Sequence, residues 1–351
     1  MAKVPLSKLV KFYFRFTPSY SAIGYHLRSL LWSRRPNQFG DQTWLVTGGS
    51  EGIGASAARQ AAEGGARVIC VARDARKLEA FAHSVKAPIA IRHLTADFSR
   101  MREVYALLEN IRNEGLQLDV LVNNVGIQKH QMVLTDEGLE TSFATNILSH
   151  HILLKGLLED GILKDGATVI EVSSGGMYNH RMVVDDLNIT EPERYAGPRA
   201  YGLAKRAQVM AMAYWREKQA HLQQRFYAMH PGWVNTASVN RSMPRFVAIL
   251  KSVLRDHEQG ADTIVYLARE RPAQRRPEAI WFDRKERTTH IYAHTPDDAV
   301  TPRDVVHWLD DQAAASKAHA ARYSAATAAF TASRDSSSPS TTGARPGACS
   351  T

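Results

Sequence analysis

From Gln42 onward the chain alternates short apolar runs with helix-length segments. QTWLVT, RVICVA, PIAIRHL, LDVLVNN, ATVIEVS, RFYAMHP and AIWFD are each short and largely apolar, and all but RFYAMHP contain Val or Ile. Runs of that kind suit strands buried on both faces of a parallel sheet. The intervening segments, among them ASAARQAAEGG, SRMREVYALLENIRNEG and the stretch from Tyr201 to Gln219, read as helices. This alternation predicts an α/β fold, a doubly wound parallel sheet of about seven strands in a single domain over residues 41–312. Ligands of such a sheet bind at the carboxyl ends of its strands.

The two ends of the chain depart from that pattern. Residues 1–40 form a basic, aromatic arm in which KLVKFYFRF (8–16) interleaves rings with cations, and Ile23, Leu27, Leu30 and Leu31 fall at helical spacing. Three readings of the arm stand side by side: a helix on a membrane surface, a mitochondrial transit peptide, or a segment packed on its own domain. Residues 313–351 turn to Ala, Ser, Thr and Gly, too little apolar surface to offset the entropy of ordering, and are expected to form a disordered tail. A short alanine-rich helix extending into that tail is compatible with its composition.

Charge sharpens the division. The net charge is +9, but residues 1–40 hold seven Lys/Arg and no Asp/Glu, and residues 313–351 hold four Lys/Arg against one Asp. The middle is therefore close to neutral, without the basic patch or aromatic platforms of a nucleic-acid reader. No apolar run reaches the length of a membrane span. Cys70 in a buried strand and Cys349 in a polar tail are poor disulfide partners, which fits a reducing compartment. An intracellular protein is expected, cytoplasmic or on a membrane periphery, or mitochondrial if the arm is a transit peptide.

Between the first strand and first helix lie Thr47, Gly48, Gly49, Ser50, Glu51, Gly52, Ile53 and Gly54. Gly48 permits the tight turn, Gly52 the approach of backbone amides to a pyrophosphate, and Gly54 close packing of helix on strand, as in a Rossmann-type dinucleotide site. The helix N-terminus then faces the phosphates. At the end of the second strand an NAD site would offer a carboxylate to the ribose; here Ala72 and Arg73 stand instead. A guanidinium suits a 2′-phosphate, so NADP(H) is favoured, with NAD(H) the alternative and Glu51 as the opposing charge.

Tyr201 and Lys205 open a helix at i,i+4 spacing, which puts both on one face. A free phenol has a pKa of about 10, and a neighbouring ammonium lowers it toward use as a proton donor or acceptor. On an arbitrary helix the pair would mean little; its position after the fifth strand gives it weight. The fourth strand ends in Asn123, Asn124, Val125 and Gly126; Asn146 follows; the fifth ends in Ser173 and Ser174; the sixth leads into His230, Pro231, Gly232, Val234 and Thr236.

The ordered set TGGSEGIG, NNVG, SSGG, YGLAK and HPGWVNT over residues 41–290 resembles the short-chain dehydrogenase/reductase family. SSGGMY, MHPGWVNT, SMPRF, EQGADT and FDRKERTTH look closer to its retinol-dehydrogenase-like branch. The resemblance implies Tyr201 as general acid/base, Lys205 lowering its pKa and holding the ribose, Ser174 on the substrate oxygen, and Asn146 holding a water in a relay to Lys205. Ser173 is the alternative to Ser174. It further implies Thr236 at the nicotinamide carboxamide, Asp97 at the adenine, and Thr47, Gly48, Ser50, Glu51, Gly52, Ile53, Gly54, Arg73, Asn123, Val125, Gly126, Pro231, Gly232 and Val234 around the cofactor. Val125 and Ala204 depart from the family's usual alanine and serine without touching the proton path.

The activity so implied is interconversion of a carbonyl and an alcohol, on a hydrophobic substrate by branch. Substrate contacts are expected from the segment between Ser174 and Tyr201 and from the apolar face Phe246, Ile249, Leu250 and Val253. A cofactor-binding scaffold without physiological turnover is the competing class. Members of the family often pair subunits, so a homodimer is one expectation. His150 and His151 lack metal-ligand spacing, and neither serine sits in a G-x-S-x-G elbow, so no metal and no hydrolase nucleophile are assigned.

Overall fold

The computed structural model describes residues 16–33, 35–296 and 299–335, with side chains through residue 319. Its centre is an eight-stranded sheet in the order β3-β2-β1-β4-β5-β6-β7-β8. The strands are β1 (Thr43–Thr47), β2 (Arg67–Ala72), β3 (Arg92–Thr95), β4 (Leu118–Asn123), β5 (Leu163–Val172), β6 (Arg225–Met229), β7 (Ile280–Phe282) and β8 (Lys285–Arg287). The first seven pair in parallel and β8 returns antiparallel. The strand order reverses between β1 and β4, the place where doubly wound sheets open a crevice.

Each strand is paired with a helix by the same logic. Helix α1 (Ala22–Ser29) precedes the sheet; α2 (Gly52–Glu63), α3 (Ala75–Ser84), α4 (Met101–Asn113), α5 (Ser149–Glu159) and α6 (Gly197–Lys218) alternate with its strands. After β6 come α7 (Ala237–Ser242), α8 (Pro244–Leu250), α9 (His257–Glu270) and, after β8, α10 (Pro302–Asp335). On one face, α2 buries Ala57, Ala58, Ala61 and Ala62 without residual exposure, the small side chains that let a helix sit close to a sheet. On the other, α4, α5, α6 and α10 pack Leu107, Leu153, Leu203 and Leu309 against Leu121 and Val169.

An alanine-rich helix extends into the expected tail, as its composition allowed: α10 crosses residue 312 and continues to Asp335. Its start is anchored by buried Val305, Val306 and Leu309, and helix propensity of the following alanines carries it on. Residues 336–351, the remainder of the expected tail, lie outside the described residues, as does most of KLVKFYFRF. The strand taken from PIAIRHL is displaced to Arg92–Thr95, because pairing with Ile69–Ala72 of β2 sets this outer strand.

From residue 16 to 33 the arm lies on the domain. Ser21 is fully buried, Arg28 pairs with Asp283, and the backbone N–H of Trp233 donates to the Tyr20 carbonyl at 2.9 Å. Its other side is bare, with Leu30 77% and Leu31 86% exposed. No helix of the described residues is long and apolar enough to cross a membrane.

Candidate active site

The loop between β1 and α2 is shaped by contacts that only glycine allows. Gly48 (φ +65°) and Gly52 (φ +66°) are in the left-handed region. A Cβ on Gly48 would lie 2.8 Å from Asn124 Nδ2, and one on Gly49 the same distance from Cys70 Sγ. Asn124 Nδ2 donates to the carbonyls of Thr47 and Gly48 at 3.0 and 3.3 Å, while Thr47 Oγ1 accepts from the amides of Asn124 and Val125. The loop is thereby tied to the end of β4. Glu51 precedes α2 without capping it by side chain, so the first amides of the helix are left to an anion. Burial pushes the Cys70 thiol up to about 12, which makes it an inert backing for the loop.

A cavity of about 970 Å³ opens at the carboxyl ends of the strands. Of the residues expected around a cofactor, Gly48, Ser50, Glu51, Gly52, Ile53, Arg73, Asp97, Val125, Gly126, Pro231, Gly232, Val234 and Thr236 line it, together with Ser174, Tyr201 and Lys205. Thr47 and Gly54 are buried behind the lining and brace it. Asn123 is fully buried off the cavity. The lining residue is its neighbour Asn124, since successive side chains of a strand point to opposite faces.

At the far end, Arg73 is exposed beside Asp74, which caps α3 by accepting from the Lys77 amide. Lys77 Nζ meets Glu51 Oε2 at 2.9 Å, so the opposing carboxylate is matched by a cation. Asp97 Oδ1 accepts from the Ser99 amide and hydroxyl at 2.9 and 2.8 Å.

At the catalytic end, α6 presents Tyr201 and Lys205 one turn apart, with Lys205 Nζ 5.7 Å from the Tyr201 ring centre. Ser174 neighbours Tyr201, a Cβ on Gly176 standing 3.6 Å from Ser174 Oγ and 3.5 Å from Tyr201 Cε1; the Ser173 hydroxyl donates instead to the Lys205 carbonyl at 2.7 Å, anchoring the helix to the end of β5. Burial raises the Tyr201 pKa and the Ser174 hydroxyl lowers it in part. Lys205 does not supply the lowering expected of it, and desolvation prevails. Lys205 donates to the Val172 carbonyl at 2.8 Å, and burial lowers its pKa to about 8, opposed by the Glu171 carboxylate.

Asn146 lies in a π-helical turn, Ala144–Leu148, that leads into α5. Its Oδ1 accepts from the Ile127 amide at 2.7 Å and its Nδ2 donates to the Ile127 carbonyl at 2.8 Å, which pins the loop that follows β4 past Lys205. A Cβ on Gly126 would stand 3.3 Å from both Asn146 Oδ1 and Lys205 Nζ, so the two groups border one small cradle. The carbonyl of Asn146 receives Gln208 Nε2 at 2.6 Å, and Gln208 also meets His150, whose Nδ1 hydrogen-bonds Glu171. This buried set went unread in the sequence because its members sit on three elements. His151 Nε2 bonds Asp310 of α10 at 2.8 Å.

On the substrate side the apolar face after Thr236 divides. Phe246 lines the cavity and packs edge-on to Trp233, Leu250 enters the body of the domain, and Ile249 faces solvent. Tyr178 and His180, from the segment before Tyr201, line it as well. Burial lowers the His230 pKa to about 3, which keeps this imidazole neutral, stacked 4.2 Å from Phe282.

Residues 42–185 match the short chain dehydrogenase family. The human dehydrogenase/reductase SDR family member 12 is 35% identical over 258 residues, covering 72% of this chain and 80% of that protein. Human retinol dehydrogenase 12 is 32% identical over 206 residues, 56% of this chain and 63% of the other. The crystal structure of an uncharacterised protein from Mycobacterium paratuberculosis superposes with a TM-score of 0.55 at 28% identity, over 69% of this chain and 81% of that one. With its glycine loop, reversal-point cavity and these relatives, the chain belongs to the short-chain dehydrogenase/reductase family, whose members are oxidoreductases that use NAD(P)(H).

Proposed function

We propose that the protein is an NADP(H)-dependent oxidoreductase that interconverts a carbonyl and an alcohol on a hydrophobic substrate, with Tyr201 as general acid/base. The observation that carries this reading is the meeting of Tyr201, Ser174 and Lys205 on the cavity that the glycine loop also lines. The residues fit a dinucleotide. Gly126 lines the cavity beside Lys205 Nζ where a Cβ would crowd it, the α2 N-terminus has no side-chain cap, and Arg73 stands at the end of β2, where a 2′-phosphate would need a cation.

When bound, the nicotinamide would supply or accept the hydride. Ser174 and Tyr201 hold the substrate oxygen, and the Tyr201 hydroxyl gives up its proton as charge develops there. Lys205, protonated below about pH 8, stabilises the resulting phenolate. Asn146 fixes the Ile127 backbone beside the Gly126 turn, where Lys205 would meet the ribose of a bound cofactor. Phe246 and Trp233 provide an apolar wall that suits a hydrophobic substrate. Human retinol dehydrogenase 12, named for a hydrophobic alcohol, supports that choice.

The test compares wild type with Tyr201→Phe, using NADPH and a panel of apolar aldehydes and ketones. Loss of the phenolic proton should lower kcat by about 10²–10⁴ and leave NADPH binding, read by its fluorescence, unchanged. Equal turnover by the two proteins would overturn the reading.

A further inference from the structure

The segment before the first strand reaches into the cavity. Phe16 and Tyr20 both line it. Tyr20 packs edge-on to His230 at 5.0 Å, to Phe282 at 5.1 Å and to Trp233 at 5.8 Å, and Phe16 lies 5.2 Å from it. A Cβ on Gly175, next to Ser174, would stand 3.3 Å from Tyr20 Cε2. The Tyr20 ring is therefore against the loop that carries the substrate-oxygen residue.

The segment is held there by a built clamp. Arg255 is almost fully buried and donates to the carbonyls of Ser19, Tyr20 and Pro231 at 3.2, 3.0 and 3.1 Å. Its guanidinium is fixed in turn by Asp283, at 2.6 and 2.9 Å. Gly232 adopts φ +81°, and a Cβ there would come within 2.8 Å of the Tyr20 carbonyl. A side chain at 232 would expel the segment, so the β6 turn is shaped around it. Behind the two rings lies a second cavity of about 520 Å³, which shares Phe16, Tyr20, Tyr178, His230 and Ile291 with the first. Phe16 and Tyr20 stand on the partition.

We propose that residues 16–21 are part of the substrate site, and that Phe16 and Tyr20 determine specificity by limiting how long an apolar carbonyl substrate can extend from Tyr201. The inference rests on the oxidoreductase reading above. It predicts that shortening Phe16 joins the two cavities and admits longer chains, whereas enlarging it closes the partition further.

The experiment uses the full chain with NADPH and straight-chain aldehydes from hexanal to tetradecanal. Phe16→Ala should raise the ratio of kcat/KM for tetradecanal over hexanal by about tenfold, and Phe16→Trp should lower it, with the change in KM rather than in kcat for hexanal. NADPH affinity of both variants should match wild type, which also reports that they are folded. An unchanged ratio in both folded variants overturns the inference. If one variant does not fold, the direction shown by the other decides. Should wild type reduce no aldehyde, calorimetric titration with 1-tetradecanol reads the same wall without turnover. Unchanged affinity in the variants overturns the inference, and altered affinity supports it while overturning only the oxidoreductase reading.

Discussion

Lys205 and Arg255 are two buried cations near the same end of the sheet, and the protein treats them in opposite ways. Lys205 donates to one backbone carbonyl and faces the cavity, and burial draws its pKa down to about 8 with Glu171 as the opposing charge. Arg255 is gripped by both oxygens of Asp283 and by backbone carbonyls of two segments far apart in the chain. A fully compensated buried pair fixes geometry, because removing either partner strands the other. An under-compensated ammonium is held at a cost in stability but stays responsive to a charge that appears beside it. The Arg255 junction therefore reads as architecture and the Lys205 site as chemistry.

The largest effect should come from breaking the compensated pair. Asp283 opens the two-residue turn between β7 and β8 at φ +49°, followed by Arg284 at +58°. Asparagine tolerates that left-handed backbone, so Asp283→Asn removes the charge while keeping the turn. It leaves Arg255 buried and releases Arg28, and should cost about 3–5 kcal/mol in urea unfolding. Hydrogen exchange at residues 16–29 should accelerate with it. A loss below about 1 kcal/mol would place this pair with weak surface bridges and erase the contrast.

The next effect tests the other half of the comparison through pH. The folded-state pKa of Lys205, about 8, lies below its ordinary value of 10.5. Below pH 8 both folded and unfolded chains carry the proton, and the full penalty of burying it is present. Between about pH 8 and 10.5 the unfolded chain keeps a proton that the folded chain has lost, so this group makes stability rise with pH. Lys205→Met lacks the group. Wild type should therefore gain on the order of 3 kcal/mol relative to the variant between pH 7 and pH 10.5, measured by urea unfolding at both values. A difference that does not move with pH would show that Lys205 is as well compensated as Arg255.

These two sites also differ in how far they could be read from sequence. Tyr201 and Lys205 share a helix at i,i+4, which spacing shows, whereas the choice of Ser174 over Ser173, both just past β5, came from the family resemblance. The resemblance put Asn123 around the cofactor; its side chain is inside the domain, and Asn124 beside it braces the glycine loop. Strands buried on both faces were legible as apolar runs. Lys285–Arg287 was not, since three polar residues form β8 only because the turn at Asp283 folds them back onto β7. The arm was the least legible. Its pattern left a membrane-surface helix, a transit peptide and a segment packed on its own domain side by side, because the groups that hold residues 16–33 lie more than 200 residues away at Arg255 and Asp283. Pairings of such separation leave no periodicity to read.

Exposed cations at the adenosine end set the lower bound of the comparison. Arg73 is exposed, and Lys77 and Glu51 are each about half exposed, so solvent screens what they contribute. On the proposed reading a hydrogen bond from Arg73 to a 2′-phosphate would be charge-assisted, so Arg73→Ala should reduce the proposed preference for NADPH over NADH by about tenfold, the equivalent of roughly 1.5 kcal/mol. Lys77→Ala acts more weakly. It removes the partner of Glu51 and lets that carboxylate repel the phosphate, which should lower the same preference by only two- to threefold, under about 1 kcal/mol, and by less at high salt. Ratios of kcat/KM for the two cofactors at low and high ionic strength measure both. If Lys77→Ala exceeds Arg73→Ala, the phosphate is held by the α3 side of the cavity and Arg73 is a solvated strand-end residue. If neither changes the ratio, the reading of NADP(H) from the end of β2 fails, and the catalytic end is left to be explained with NAD(H).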